Sequence, residues 1–180
     1  VPTGREAERS GAVALPFPAV AKNPDPALTV VTSKGVERTL DDWTTMFHLL
    51  LVVLPDRPEA AAWIPVAQRI FAVLGDSDVR TGYVVTANAM IAERILGEEE
   101  QRAMVFVDPD RTLVNGLGLQ HLPALVHLRQ DTSIGAVAEG WDPAAWQATA
   151  NEVAKAMAWS VPDITAPGLA LPAPTPGWAV

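Results

Sequence analysis

With 180 residues, 49% of them apolar, the chain has the composition of one globular domain with its own core rather than a disordered segment. Its net charge of −8 argues against a broad basic surface for nucleic acid or an anionic membrane. It contains no cysteine, which excludes a disulfide framework, thiol exchange, thiol peroxidase chemistry and a thiolate-held metal. No stretch approaches the roughly 20 apolar residues that a membrane span needs. The opening residues lack the charged-then-apolar pattern of a secretory signal, so a cytoplasmic location is the default expectation, a cleaved leader apart.

Residues 1–27 form an irregular arm in this reading, because Pro16, Pro18, Pro24 and Pro26 interrupt any helix. Leu15, Phe17 and Val20 are its candidate anchors. Leu28 to Thr32 is apolar and β-branched, Ser33-Lys34-Gly35 supplies a turn, and Val36 to Leu40 returns as a second strand. Asp41 and Asp42 then cap a short helical turn through Trp43. Leu49 to Leu54 is an apolar run without alternation, the pattern of a central strand covered on both faces.

Pro58 and Glu59 open a helix carrying Trp63, Val66, Ile70, Phe71 and Leu74 at helical spacing, with Pro58 in the first turn where its missing amide costs nothing. Pro65, further in, predicts a kink. Val79 to Thr86 is a strand, a helix runs from about Ala87 to Leu96, and Glu98-Glu99-Glu100 is expected to be a solvated surface. Met104 to Val107 is a buried strand, followed by the Asp108-Pro109-Asp110 turn and a short helix ending near Gly116. Ala124 to Arg129 and Ser133 to Glu139 make a hairpin. Asp142 caps the last helix with Pro143 at its first position. Ala145, Ala148, Val153, Ala156 and Met157 are its expected inner face, with Trp146 and Trp159 at the edge. Five prolines from Pro162 to Pro176 mark a tail, residues 161–180, which is expected to be a linker. The lesser expectation is that it docks in a groove.

The fold class that follows is a small α/β sandwich on a mixed sheet, residues 28–160, with an N-terminal hairpin and flanking helices. No repeat or nucleotide loop is present, since Gly116-Leu117-Gly118 lacks the third glycine of a dinucleotide fingerprint. This order resembles the thioredoxin-like superfamily, in particular its peroxiredoxin-like and cytochrome-maturation-type thiol oxidoreductase branches. Three stretches carry the resemblance: Lys34-Gly35 through Asp42, the run Leu49 to Leu54 with the polar turn after it, and Gly118 to Val126 around Leu122-Pro123. Glu139-Gly140-Trp141 follows in the same order. The resemblance implies a cis-proline at Pro123 and puts the two family cysteines at Arg57 and Ala60, so the helix-opening turn is kept and the nucleophile is not.

The candidate binding site is therefore the pseudo-active site: Asp56, Arg57, Pro58, Glu59, His121, Leu122 and Pro123. The resemblance implies that the cis-proline segment is a shelf whose backbone pairs with an extended peptide. Asp56 and Glu59 read first as helix-terminal charges, and Arg57 as a two-pronged grip on a partner's carboxylate. Among the three histidines, His48 and His127 are expected to be structural, and His121 lies beside the shelf. No metal, cofactor or serine-elbow hydrolase is expected. Six tryptophans supply core residues and, at Trp43, Trp141 or Trp178, candidate interface anchors. The expected function is a catalytically silent protein-binding adaptor, assembly factor or complex subunit. A non-thiol enzyme or small-molecule binder using His121 and Glu59 in the same cleft is the alternative, and self-association through the terminal arms is a third.

Overall fold

The computed structural model describes residues 21–180. Leu15, Phe17 and Val20, with most of the N-terminal arm, lie outside the described residues. The chain order is β1 (Thr29–Thr32), β2 (Glu37–Thr39), α1 (Leu40–Thr44), β3 (His48–Leu54), a 3-10 helix (Pro58–Trp63), α2 (Ile64–Leu74), β4 (Val79–Val85), α3 (Ala89–Leu96), α4 (Glu99–Arg102) and β5 (Met104–Val107). It continues with α5 (Thr112–Gly116), β6 (His121–Leu122), β7 (Ala124–Leu128), β8 (Ile134–Glu139), α6 (Pro143–Met157) and β9 (Trp178–Ala179).

Seven strands form one sheet in the order β2-β1-β5-β4-β3-β7-β8, and β6 pairs separately with β9. The β3–β4 and β4–β5 pairs are parallel, and β3–β7, β7–β8, β1–β2 and β1–β5 are antiparallel. Strand β3 is central because both of its faces are apolar. Leu50, Val52 and Leu54 join the cluster under α2, α3 and α6, whereas Leu49, Leu51 and Val53 join the cluster under α1 and α5. Each such side chain contributes about 1.5–3 kcal/mol when it leaves water. Charged Glu37 and Arg38 occupy the edge strand β2, which discourages pairing with another chain.

Local chemistry sets the helix ends. Thr39 and Asp42 form a reciprocal capping box on α1, Asn88 caps α3, and Asp142 caps α6 ahead of Pro143. Pro65 does not kink a long helix. The segment changes from 3-10 to α at Ile64, which leaves Pro65 in the first turn of α2, where no intrahelical amide is lost.

Four expectations are corrected. Glu100 is buried, 6% exposed, and accepts from Ser33 Oγ at 2.6 Å, so the acidic triplet is not wholly solvated. Ala148 and Ala156 of α6 face solvent, and Trp146, Thr149, Ala150, Val153 and Ala154 face the core. Trp146 donates from Nε1 to Gly140 O at 2.8 Å and meets Trp141 edge-on, which fixes the helix in this rotation. Trp141 is an interior residue rather than an exposed anchor, with its Nε1 bonded to Pro172 O. The proline-rich tail is not a free linker: Ile164 is fully buried, Gln147 Nε2 bonds to Pro162 O, and Trp141 exchanges two backbone hydrogen bonds with Thr175.

Candidate functional site

The site begins where β3 ends. After Leu54 and buried Pro55, Asp56, Arg57, Pro58 and Glu59 are exposed, and the chain turns into the 3-10 helix. Arg57 is extended (φ −131°, ψ 143°), and its N–H bonds to Pro55 O at 2.9 Å. No side chain caps this helix by a hydrogen bond, and Glu59 sits in its first turn, where the helix dipole favours a carboxylate. Asp56 instead faces Arg111 at 4.0 Å, a half-exposed ion pair of small energetic weight. Ala60, at the second position where the resemblance puts a cysteine, is fully buried.

The second wall is the segment before β7. Glu139, at the end of β8, accepts the Gln120 and His121 N–H groups on one carboxylate oxygen, at 2.8 and 3.0 Å. These charge-assisted bonds hold the short strand β6 in place. Leu122 and Pro123 are buried and joined by a cis peptide bond. Pro123 leads directly into β7, which pairs with β3 as far as Val53↔Ala124 and so brings the ledge beside the Asp56–Glu59 turn.

The tail lies across this ledge. Strand β9 pairs antiparallel with β6, with Leu122 opposite Trp178 and His121 opposite Ala179, and Val180 N–H bonds to Gln120 O at 3.0 Å. The Trp178 ring meets Trp63 at right angles with centroids 5.8 Å apart, and the Arg57 guanidinium carbon lies 5.4 Å from its centroid. Trp178 thus bridges the two halves of the site, Arg57 on one side and Leu122 on the other. Gly177 has φ +81°, and a Cβ built there would fall 2.1 Å from Leu122 O. No side chain fits at that position.

Sequence reasoning grouped Asp56, Arg57, Pro58, Glu59, His121, Leu122 and Pro123 and named Trp178 as a candidate anchor; in the structure Trp178 lies between Arg57 and Leu122. That reasoning missed Glu139, Trp63, Gly177 and Arg111. The Pro176-Gly177-Trp178 turn signal was visible, but its partner lies more than 50 residues earlier in the chain. Trp63 is 3% exposed, with its Nε1 unpaired among the described residues.

Two other features lie apart from the ledge. A cavity of about 250 Å³ is lined by β1, β5 and the Asp108–Leu113 turn, and by neither His121 nor Glu59. His48 and His127 stack with their ring nitrogens 2.8 Å apart, at the end of β3 opposite the site. Among the described residues no group of three or more metal-ligating side chains comes together, and no helix is long and apolar enough to cross a membrane.

No protein-family profile and no curated sequence matches the chain. Solved structures do. The chain is similar to DsbF from MTB, with a TM-score of 0.59 and 14% identity over 72% of this chain and 95% of that one. It is similar to a protein from Chlorobium tepidum described as the thiol:disulfide interchange protein DsbE, with a TM-score of 0.63 and 16% identity over 76% and 97% of the two chains. It is also similar to Xanthomonas campestris peroxiredoxin Q, with a TM-score of 0.57 and 11% identity over 78% and 94%. The mixed sheet, its flanking helices and these likenesses together make this a thioredoxin-like fold, one whose sequence contains no cysteine.

Proposed function

We propose that this protein is a protein-binding module, an adaptor or complex subunit, which uses the pseudo-active site Asp56, Arg57, Pro58, Glu59, His121, Leu122 and Pro123 without thiol chemistry. The observation that carries this reading is that β6 accepts an extended strand, here the chain's own β9, through backbone pairing and an aromatic seat. Backbone pairing at a strand edge gives affinity, and a side-chain seat beside it gives selectivity. At Arg57, where the resemblance puts the first cysteine, a guanidinium faces an aromatic ring instead of a thiolate facing a disulfide. That exchange converts a reacting position into a gripping one. The alternative, a small-molecule site between His121 and Glu59, draws no support from the cavity, which those residues do not line. A cytoplasmic location belongs to this proposal and is checked by fractionating the native host.

The test is affinity capture from the native host with the wild-type chain and with the Arg57→Ala/His121→Ala double variant, each shown to be folded by circular dichroism. The proposal expects a partner that the wild type retains and the double variant loses. A partner held equally by both moves the binding face elsewhere.

A further inference from the structure

The way β9 sits on the ledge defines what the ledge selects. Three constraints act on adjacent residues. Gly177 must lack a side chain, because the Leu122 carbonyl oxygen occupies the place of its Cβ and its φ is +81°. Trp178 must be aromatic, because its ring is held edge-on by Trp63 and faced by Arg57. The residues around that pair must be extended, because Leu122↔Trp178, His121↔Ala179 and the bond from Val180 N–H to Gln120 O form an antiparallel ladder.

The attachment is also brief. Strand β9 is two residues long, and Ala173, Pro174, Pro176 and Ala179 are exposed. Immediately upstream the chain is held firmly, by the Trp141–Thr175 backbone pair and the bond from Trp141 Nε1 to Pro172 O. Residues 177–180 therefore have a small footprint and a fixed tether. A tethered segment of that kind competes at an effective concentration on the order of millimolar, and its hold on the rest of the chain is the packing of Trp178 and Val180 against the two core clusters.

We propose that the ledge recognises an extended segment of another protein in which glycine is followed by an aromatic residue, and that residues 177–180 occupy it as an intramolecular competitor. This rests on the protein-binding reading above and gives it a ligand class. The charge pattern fits: the aromatic side chain is received by a cation, so a neutral or electron-rich ring binds and a cationic side chain at that position is repelled.

The experiment uses the full chain carrying Gly177→Ala, with Trp178→Ala as a second route to vacating the ledge. Hydrogen exchange at the Val180 amide reports whether the strand has left. The probe is a fluorescein-labelled peptide reproducing residues 172–180, followed by anisotropy, beside its Gly177→Ala and Trp178→Ala counterparts. The expected result is faster exchange at Val180 in both variants and probe binding at least about tenfold tighter than to the wild-type chain, as removal of a tethered competitor requires. Neither counterpart peptide should bind measurably. Continued protection of Val180 in both variants overturns the proposal, as does a probe that binds the vacated ledge no better than the wild-type chain. Equal binding by extended peptides lacking the glycine–aromatic pair overturns the selectivity and leaves the protein-binding reading standing. Failure of every peptide to bind the vacated ledge overturns both.

Discussion

His127 lies in β7 at 2% exposure, with the His48 ring stacked on it and Gly135 of the neighbouring strand against its other nitrogen. A Cβ at Gly135 would stand 2.3 Å from His127 Nδ1, so the ring occupies the space that a side chain there would take. Burial first, then the charge on His48 and Arg129, brings the His127 pKa down from 6.5 to about 4. The unfolded chain takes up a proton on this residue near pH 6.5, and the folded chain resists until about pH 4. The contribution is therefore fully present above pH 6.5, lost progressively as pH falls to 4, and constant below it. At roughly 1.4 kcal/mol per pKa unit, the loss across that window is about 3 kcal/mol. His48 is shifted the same way, by burial and then by Arg129, with Asp131 and Asp78 opposing. Urea unfolding from pH 7.5 to 4 with the wild type and His127→Gln isolates the effect, because carboxylate titration is common to both. The stability difference between the two should shift by about 3 kcal/mol in favour of the variant as pH falls. A difference that stays constant with pH would refute the reasoning.

Asp108→Ala should cost about 2–3 kcal/mol, because Asp108 is 6% exposed and its two carboxylate oxygens accept the Leu113 and Val114 N–H groups, which would be left buried and unpaired. It should appear as a lower urea midpoint with an unchanged slope. Gly135→Ala should destabilise by at least about 1–3 kcal/mol, since the added methyl meets the buried His127 ring. A variant with an unaltered thermal midpoint would contradict that packing. Arg57→Ala removes the cation facing Trp178 and should speed exchange at Val180 several-fold, a loss of about 0.5–1 kcal/mol of local stability, with the global midpoint unmoved.

Much of the fold was legible because its decisive signals are local. The unbroken apolar run of β3 fits a strand covered on both faces, and Asp142-Pro143 marks a helix start without reference to anything distant. The site was legible in part. Arg57 and Leu122-Pro123 were grouped through the thioredoxin-like resemblance, and the structure pairs β3 with β7 up to Val53↔Ala124, beside both. The rest depends on pairings that no local pattern encodes. A proline-rich stretch reads as a linker until its acceptor is known, and the acceptor of β9 is a two-residue strand far back in the chain. The burial of Trp141 and Glu100 has the same origin, since Trp141 Nε1 donates to the distant Pro172 O and Glu100 accepts from the distant Ser33 Oγ. Helix α6 misled for a different reason. Its stripe is mostly alanine, which defines a face weakly, and the buried face carries Trp146 and Val153 as its large side chains.

The measurement that bears most directly on the account replaces exposed Glu59 with a photo-crosslinking residue in the native host and maps the adducts by mass spectrometry after irradiation. The account predicts a covalent adduct to another protein, attached at an extended segment, in addition to adducts within residues 172–180 of the same chain. Adducts confined to the chain's own residues would contradict it and make the ledge a closed internal joint.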